Sequence, residues 1–232
     1  MSARAPQGLP DLGSDPLREY RLGIMGGTFD PIHYGHLVTA EQAKDALDLD
    51  VVLFMPAGSP AFKEDEDVSG AEDRYAMTVL ATAANPDFIA SRFEIDRLGT
   101  TYTVDTLREL RSHYPENVKL YFITGADAIN DIVAWHDADS IAGLATLIAA
   151  TRPGYDINQS CARVEASGIA FDVRYIEIPA LAISSTDIRD RVGQGKSVRY
   201  LTSESVIGYI KKNGLYRSGG VAADGSRMEA SS

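Results

Sequence analysis

Short apolar runs alternate with amphipathic stretches along most of this chain. Tyr20–Met25 (YRLGIM) and Val51–Met55 (VVLFM) read as strands, the second bounded by Asp50 and Pro56. Phe88–Ile95 alternates like a strand, and Lys119–Ile123, Ala145–Ala150 and Val173–Ile178 are further apolar runs of strand length. Between them, His36–Leu47, Ala71–Ala84 and Thr103–His113 carry helical spacing. Asn85-Pro86 stops the second of these, and Thr101 or Thr103 caps the third. Gly125–Asp127 opens another helix, Thr151–Gly154 (TRPG) is a turn, and Ser59–Ser69 is a polar loop containing KEDED. Ser184–Val192 and Ser203–Asn213 read as helices, the latter closed by Gly214. Strand and helix in such regular succession imply crossover units. The expected fold is α/β: a Rossmann-like, doubly wound, mainly parallel sheet with helices on both faces. Ligands of such sheets collect beyond the carboxyl ends of the strands. The segments that follow the predicted strands hold Gly26-Gly27, Lys63, Asp127, Arg152 and Ser184–Thr186, so the polar residues gather along one rim.

Composition narrows this picture at its ends and in its partners. Residues 1–18 are rich in Pro, Gly, Ser and Asp, and residues 218–232 are small and polar. Neither end has enough apolar surface to offset its ordering entropy, so both are expected to be unstructured tails around one domain, 19–217. The N-terminus lacks the apolar stretch of a secretory signal, and no window approaches a membrane span. A net charge of −11 argues against nucleic acid and acidic membranes as partners. The single cysteine, Cys161, excludes an internal disulfide and fits a cytoplasmic protein. Oligomeric state is left open.

Two stretches carry candidate chemistry. GGTFDPIHYGHL (Gly26–Leu37) places a glycine pair, Thr28 and Phe29 after a strand, then His33 and His36 at the mouth of a helix. Glycines there let backbone N–H groups approach a ligand closely. Two histidines three apart could bind a metal, act as a base or hold phosphate. A zinc pair would want a third ligand, which no cysteine pair or HExxH pattern supplies. A helix N-terminus with two imidazole donors suits phosphate better. Gly35 between them leaves room for something bulky, and Asp30-Pro31 reads as a structural turn. The second stretch, ISSTDIR (Ile183–Arg189), supports two readings. Ser184 with Asp187 fits a capping box. Ser184, Ser185, Thr186 and Arg189 together also make a polyphosphate site at a helix start.

With both stretches in view, the chain resembles the bacterial nicotinate-nucleotide adenylyltransferases of the nucleotidylyltransferase superfamily, marked by an (H/T)xGH motif and a C-terminal SSTxxR motif. The resemblance runs from about Arg21 to Arg217. It takes in TYTVDTL at 101–107, TGADA at 124–128, Trp135, TRPGY at 151–155 and the terminal VIGYIKKNGLYR. It implies joining of ATP to nicotinate mononucleotide, with release of pyrophosphate and no covalent enzyme intermediate. It also implies roles. His33, His36 and Arg189 would stabilise the transferred and leaving phosphates. Gly26, Gly27, Thr28, Phe29, Ile183, Ser184, Ser185 and Thr186 would line the ATP, and Gly125 and Asp127 would meet its ribose. Thr101, Tyr102 and Trp135 would hold the pyridine ring and its carboxylate, and Lys63 and Arg152 the mononucleotide phosphate. Mg²⁺ would be bound mainly through ATP phosphates, with no metal site built from the protein. One departure stands out: the family often has a histidine before the basic residue of the loop after the second strand, where this chain has Phe62.

Overall fold

The computed structural model describes residues 8–60, 68–97 and 99–217. Six strands form one sheet: β1 (Tyr20–Gly27), β2 (Val51–Pro56), β4 (Phe88–Ala90), β6 (Val118–Gly125), β7 (Thr146–Thr151) and β8 (Val173–Glu177). Their spatial order is β4-β2-β1-β6-β7-β8, and every neighbouring pair is parallel. A separate parallel pair, β3 (Ser59–Pro60) with β5 (Thr100–Thr101), ties the loop after β2 to the segment before the third helix. The eight α-helices of the described residues are α1 (Tyr34–Leu47), α2 (Ala71–Thr82), α3 (Thr103–His113), α4 (Ala126–Asn130), α5 (Ala138–Ala142), α6 (Ile157–Ala166), α7 (Ser185–Gly193) and α8 (Glu204–Asn213).

Both faces of the sheet are covered, which is why β2 is apolar and buried at every position rather than at alternate ones. On β2, Val51, Leu53 and Met55 pack with Leu107 of α3, Ile129 of α4 and Val164 of α6. Val52 and Phe54 pack on the other side with Ala40 of α1, Met77 of α2 and Ile210 of α8. The chain winds outward from β1 in one direction and from β6 in the other. The crevice where the order reverses therefore opens beyond Gly27 and Gly125, and the helices that start there, α1 and α4, point their N-termini at it.

The doubly wound parallel sheet is the expected one; besides the β3–β5 pair and the short α5, which were not anticipated, it shows three local differences. The strand expected over 88–95 ends at Ala90. Beyond it Asp96 N–H bonds back to Arg92 O, and Arg92 pairs with Glu72 and Asp96, so the alternation there belongs to a turn that buries Phe93. Helix α6 was not anticipated because its buried positions are only Ser160 and Val164, too few for a visible apolar stripe. The N-terminal segment is the third. Residues 8–18, expected to be unstructured, lie against the domain: Leu9 and Leu12 pack on the larger core, Tyr114 Oη donates to Pro10 O at 2.9 Å, and Asn117 Nδ2 donates to Asp15 O at 2.9 Å. Two leucines in a Pro- and Gly-rich stretch have no periodicity of their own, yet they fit a surface the domain already offers. Residues 1–7 and 218–232 lie outside the described residues. No helix of the described residues is long and apolar enough to cross a membrane.

Candidate active site

The loop from β1 into α1 is built around His33 and His36. His33 is the N-cap of α1, with extended backbone (φ −146°, ψ 172°), and is buried. Its N–H donates to His36 Nδ1 at 3.2 Å, which leaves the proton of a neutral His36 on Nε2. The two rings stack with centroids 3.7 Å apart, and Phe29 meets His36 edge-on at 5.0 Å. Burial lowers the His33 pKa to about 4. His36 is pushed well below the usual histidine range, first by burial and then by His33. Both rings are therefore neutral donors near pH 7. His33 Nδ1 is buried without a hydrogen-bond partner among the described residues. Gly35 has a different reason from the one expected. A Cβ there would stand 2.9 Å from the His33 ring, so the bulky neighbour that glycine admits is the imidazole itself.

The second motif comes to the same loop. Ser184 caps α7 by accepting from Asp187 N–H at 3.1 Å, which is the N-cap half of the expected capping box; the Asp187 carboxylate accepts from Arg191 Nε at 2.7 Å. Ser185 and Arg189 reach across instead. Ser185 Oγ donates to Pro31 O at 2.9 Å, and Arg189 Nη1 donates to Asp30 O at 2.8 Å. Thr186 is exposed, with its Oγ1 3.4 Å from Arg189 Nη2. A cleft of about 270 Å³ lies beside this junction. Its wall includes His33, His36, Gly125, Asp127, Arg152 and Ile183, so residues expected for ATP and for the mononucleotide phosphate share one cavity. Thr101, Tyr102 and Trp135 do not line it. Trp135 is half-buried with its edge to Phe122 at 6.0 Å, and the Tyr102 ring lies 4.4 Å from His136, next to Trp135. Gly26 to Phe29 form the end of β1 and the turn that follows, and Phe29 is buried. Lys63 and Phe62 lie outside the described residues. A larger cleft, about 750 Å³, is lined by Val192, Lys196, Ile207 and Lys211 among others and holds none of the expected site residues.

Residues 24–191 match the family described as cytidylyltransferase-like. A Moorella thermoacetica protein named "Probable nicotinate-nucleotide adenylyltransferase" is 54% identical over 203 residues, covering 86% of this chain and 93% of that protein. The chain belongs to the nicotinate-nucleotide adenylyltransferase family. A second protein of that name, from Clavibacter michiganensis subsp. michiganensis, is 53% identical over 199 residues, covering 85% of this chain and 94% of its own. Among solved structures, Plasmodium falciparum nicotinic acid mononucleotide adenylyltransferase complexed with NaAD has the same fold: TM-score 0.69, 21% identity, covering 85% of this chain and 98% of that one. The cytidylyltransferase-like match starts within β1 and ends in α7. It embraces both motifs and stops before α8.

The adenylyltransferase site also rests on residues that the motifs did not disclose. Arg74 is 1% exposed and donates three bonds: Nε to Ser69 O at 3.0 Å, Nη1 to Thr28 O at 2.9 Å and Nη2 to Gly58 O at 3.1 Å. It joins the loops after β1 and β2 to the start of α2. A usable signal existed, since Arg74 falls three before Met77 on the buried stripe of α2. Asp30 is more than a turn residue. It is buried, and its carboxylate accepts from Tyr216 Oη at 2.6 Å and from Ser69 N–H at 3.1 Å. Glu94 is a third, buried beside α3 and accepting from Thr106 Oγ1 at 2.6 Å; burial raises its pKa to about 7.

Proposed function

We propose that the chain transfers the adenylyl group of ATP to nicotinate mononucleotide in NAD biosynthesis, in the cytoplasm. A phosphate oxygen of the mononucleotide attacks the α-phosphorus in line. The bond to the bridging oxygen breaks, and pyrophosphate leaves with the electron pair. The observation that carries this reading is the meeting of two motifs 154 positions apart, where Ser185 bonds the carbonyl of Pro31 just before the paired histidines. Two neutral imidazoles and the Arg152 guanidinium line one cleft, and the Ser185 hydroxyl and Arg189 guanidinium, which do not line it, sit on the turn that precedes those imidazoles. That set donates hydrogen bonds and positive charge to phosphate without itself exchanging protons, which suits a displacement in which the nucleophile is already ionised.

In this reading His36 Nε2–H and His33 stabilise charge on the transferred phosphoryl group. Arg189, Ser185 and Thr186 meet the phosphates that depart. Asp127 accepts from the ribose hydroxyls. Arg152, on the same cleft, draws in the mononucleotide phosphate as it nears the α-phosphorus, together with Lys63. Trp135 and the Thr101-Tyr102 backbone take the pyridine ring and its carboxylate. An amide in that place would set donors against donors, which is the basis for preferring the acid. Magnesium, in this reading, is carried on ATP phosphates and water rather than on protein side chains. Such an ion, when bound, neutralises phosphate charge.

The test is pyrophosphate release from ATP and Mg²⁺ with nicotinate mononucleotide or its amide as acceptor. The acid is expected to be the better substrate; a preference for the amide overturns the acceptor assignment. In the same assay Trp135→Ala is expected to raise KM for the mononucleotide far more than for ATP. Equal effects on both would reduce Trp135 to a packing residue.

A further inference from the structure

Ser185 and Arg189 take their positions from the Phe29–Pro31 turn, through the carbonyls of Pro31 and Asp30. That turn is held from behind. Asp30, 2% exposed, accepts the Tyr216 hydroxyl at 2.6 Å. Arg74 holds Thr28 O from the same side. Tyr216 follows α8, beyond the part of the chain that the cytidylyltransferase-like match covers. Phe29 and Tyr216 both have positive φ, 51° and 62°, a region that side chains disfavour and that persists only where surrounding contacts fix it. Strained backbone thus stands at Tyr216 and next to Asp30, the two ends of one short charge-assisted hydrogen bond. Burial and the Asp30 carboxylate push the Tyr216 phenol above its ordinary range, so it remains a donor at working pH.

We propose that Tyr216, acting through Asp30, is a positioning residue for adenylyl transfer: its hydroxyl fixes the turn against which Arg189 and Ser185 are registered. This rests on the functional reading above. Misplacement of a phosphate-binding group by a fraction of an ångström is felt at the reacting centre, because catalysis here is placement of charge. The mononucleotide's ring site at Tyr102 and Trp135 has no such dependence on the turn.

Tyr216→Phe keeps the ring and removes only the bond. It is expected to lower kcat about tenfold and to weaken pyrophosphate as a competitor of ATP by a similar factor. KM for the mononucleotide should change by less than about twofold. Tyr209→Phe is the comparison. It removes a tyrosine-to-carboxylate bond made by α8 itself, from Tyr209 Oη to Asp73 Oδ1 at 2.9 Å, which does not reach the turn, and it should leave activity unchanged. The proposal is overturned if Tyr216→Phe keeps wild-type kcat and pyrophosphate competition, or if it weakens both substrates equally. Should Tyr216→Phe not fold, Asp30→Asn is read by the same split between pyrophosphate and mononucleotide. Wild-type protein that transfers nothing from ATP to nicotinate mononucleotide would sink the functional reading as well, whereas wild-type transfer with a silent Tyr216→Phe sinks this proposal alone.

Discussion

Two imidazoles stacked 3.7 Å apart and held largely out of water do not both take protons, and the fold makes use of their neutrality. His36→Ala is expected to cut turnover by roughly two to three orders of magnitude, with the melting temperature little changed. Near-full transfer by that variant would remove the histidine from the phosphate site. His33 also gives stability a pH dependence. Its folded pKa of about 4 lies below the ordinary 6.5, so between those values the unfolded chain binds a proton that the folded chain refuses. This contribution is complete above about pH 6.5 and is lost as pH falls toward 4. Replacing His33 by Gln should flatten the rise of melting temperature across that window, and an unchanged slope would show that the ring titrates freely. At this scale the sequence disclosed His33, His36 and Arg189, which meet at one turn, since their chemistry is odd for a core. It concealed Arg74 and the full role of Asp30, whose partners are backbone carbonyls and a hydroxyl far along the chain.

Among the elements, strands were legible where apolar runs were buried on both faces, as in β2. They were misjudged where alternation came from a turn, as after Ala90. Helix α6 was lost because a helix that buries one serine and one valine leaves no apolar period. The pair β3–β5 escaped because two-residue strands have no pattern at all. Glu94 sits in this same region, between that pair and α3. Its folded pKa of about 7 lies above the ordinary 4.5, so the folded chain holds a proton that the unfolded chain has released, and stability falls as pH rises from 4.5 through 7. Glu94→Gln keeps an acceptor for Thr106 and carries no charge. It should raise the melting temperature at pH 8 more than at pH 5; equal shifts at both would mean that Glu94 ionises alike in the folded and unfolded chain.

For the whole molecule, the doubly wound order explains why a single rim collects residues from β1, β6, β7 and the start of α7. Alternation of element types is enough to foresee that arrangement. It is not enough to foresee how the N-terminal segment lies, because Leu9 and Leu12 bury themselves on a surface made by distant elements. Deleting residues 1–12 should cost about 2 kcal/mol, taking two half-buried leucines at ordinary transfer values. For a chain of this size that is a fall of roughly 4–8 °C in melting temperature. A deletion without effect would return the segment to the status of a tail.

The bond between Asp30 and Tyr216 spans 186 positions. Translation delivers the histidine loop well before its buttress. A nascent chain therefore carries the two imidazoles of α1 before the Tyr216 hydroxyl can reach Asp30, and a chain cut before Tyr216 lacks that bond. The register of the histidine loop is thus set by a contact of high sequence separation rather than by its own neighbours.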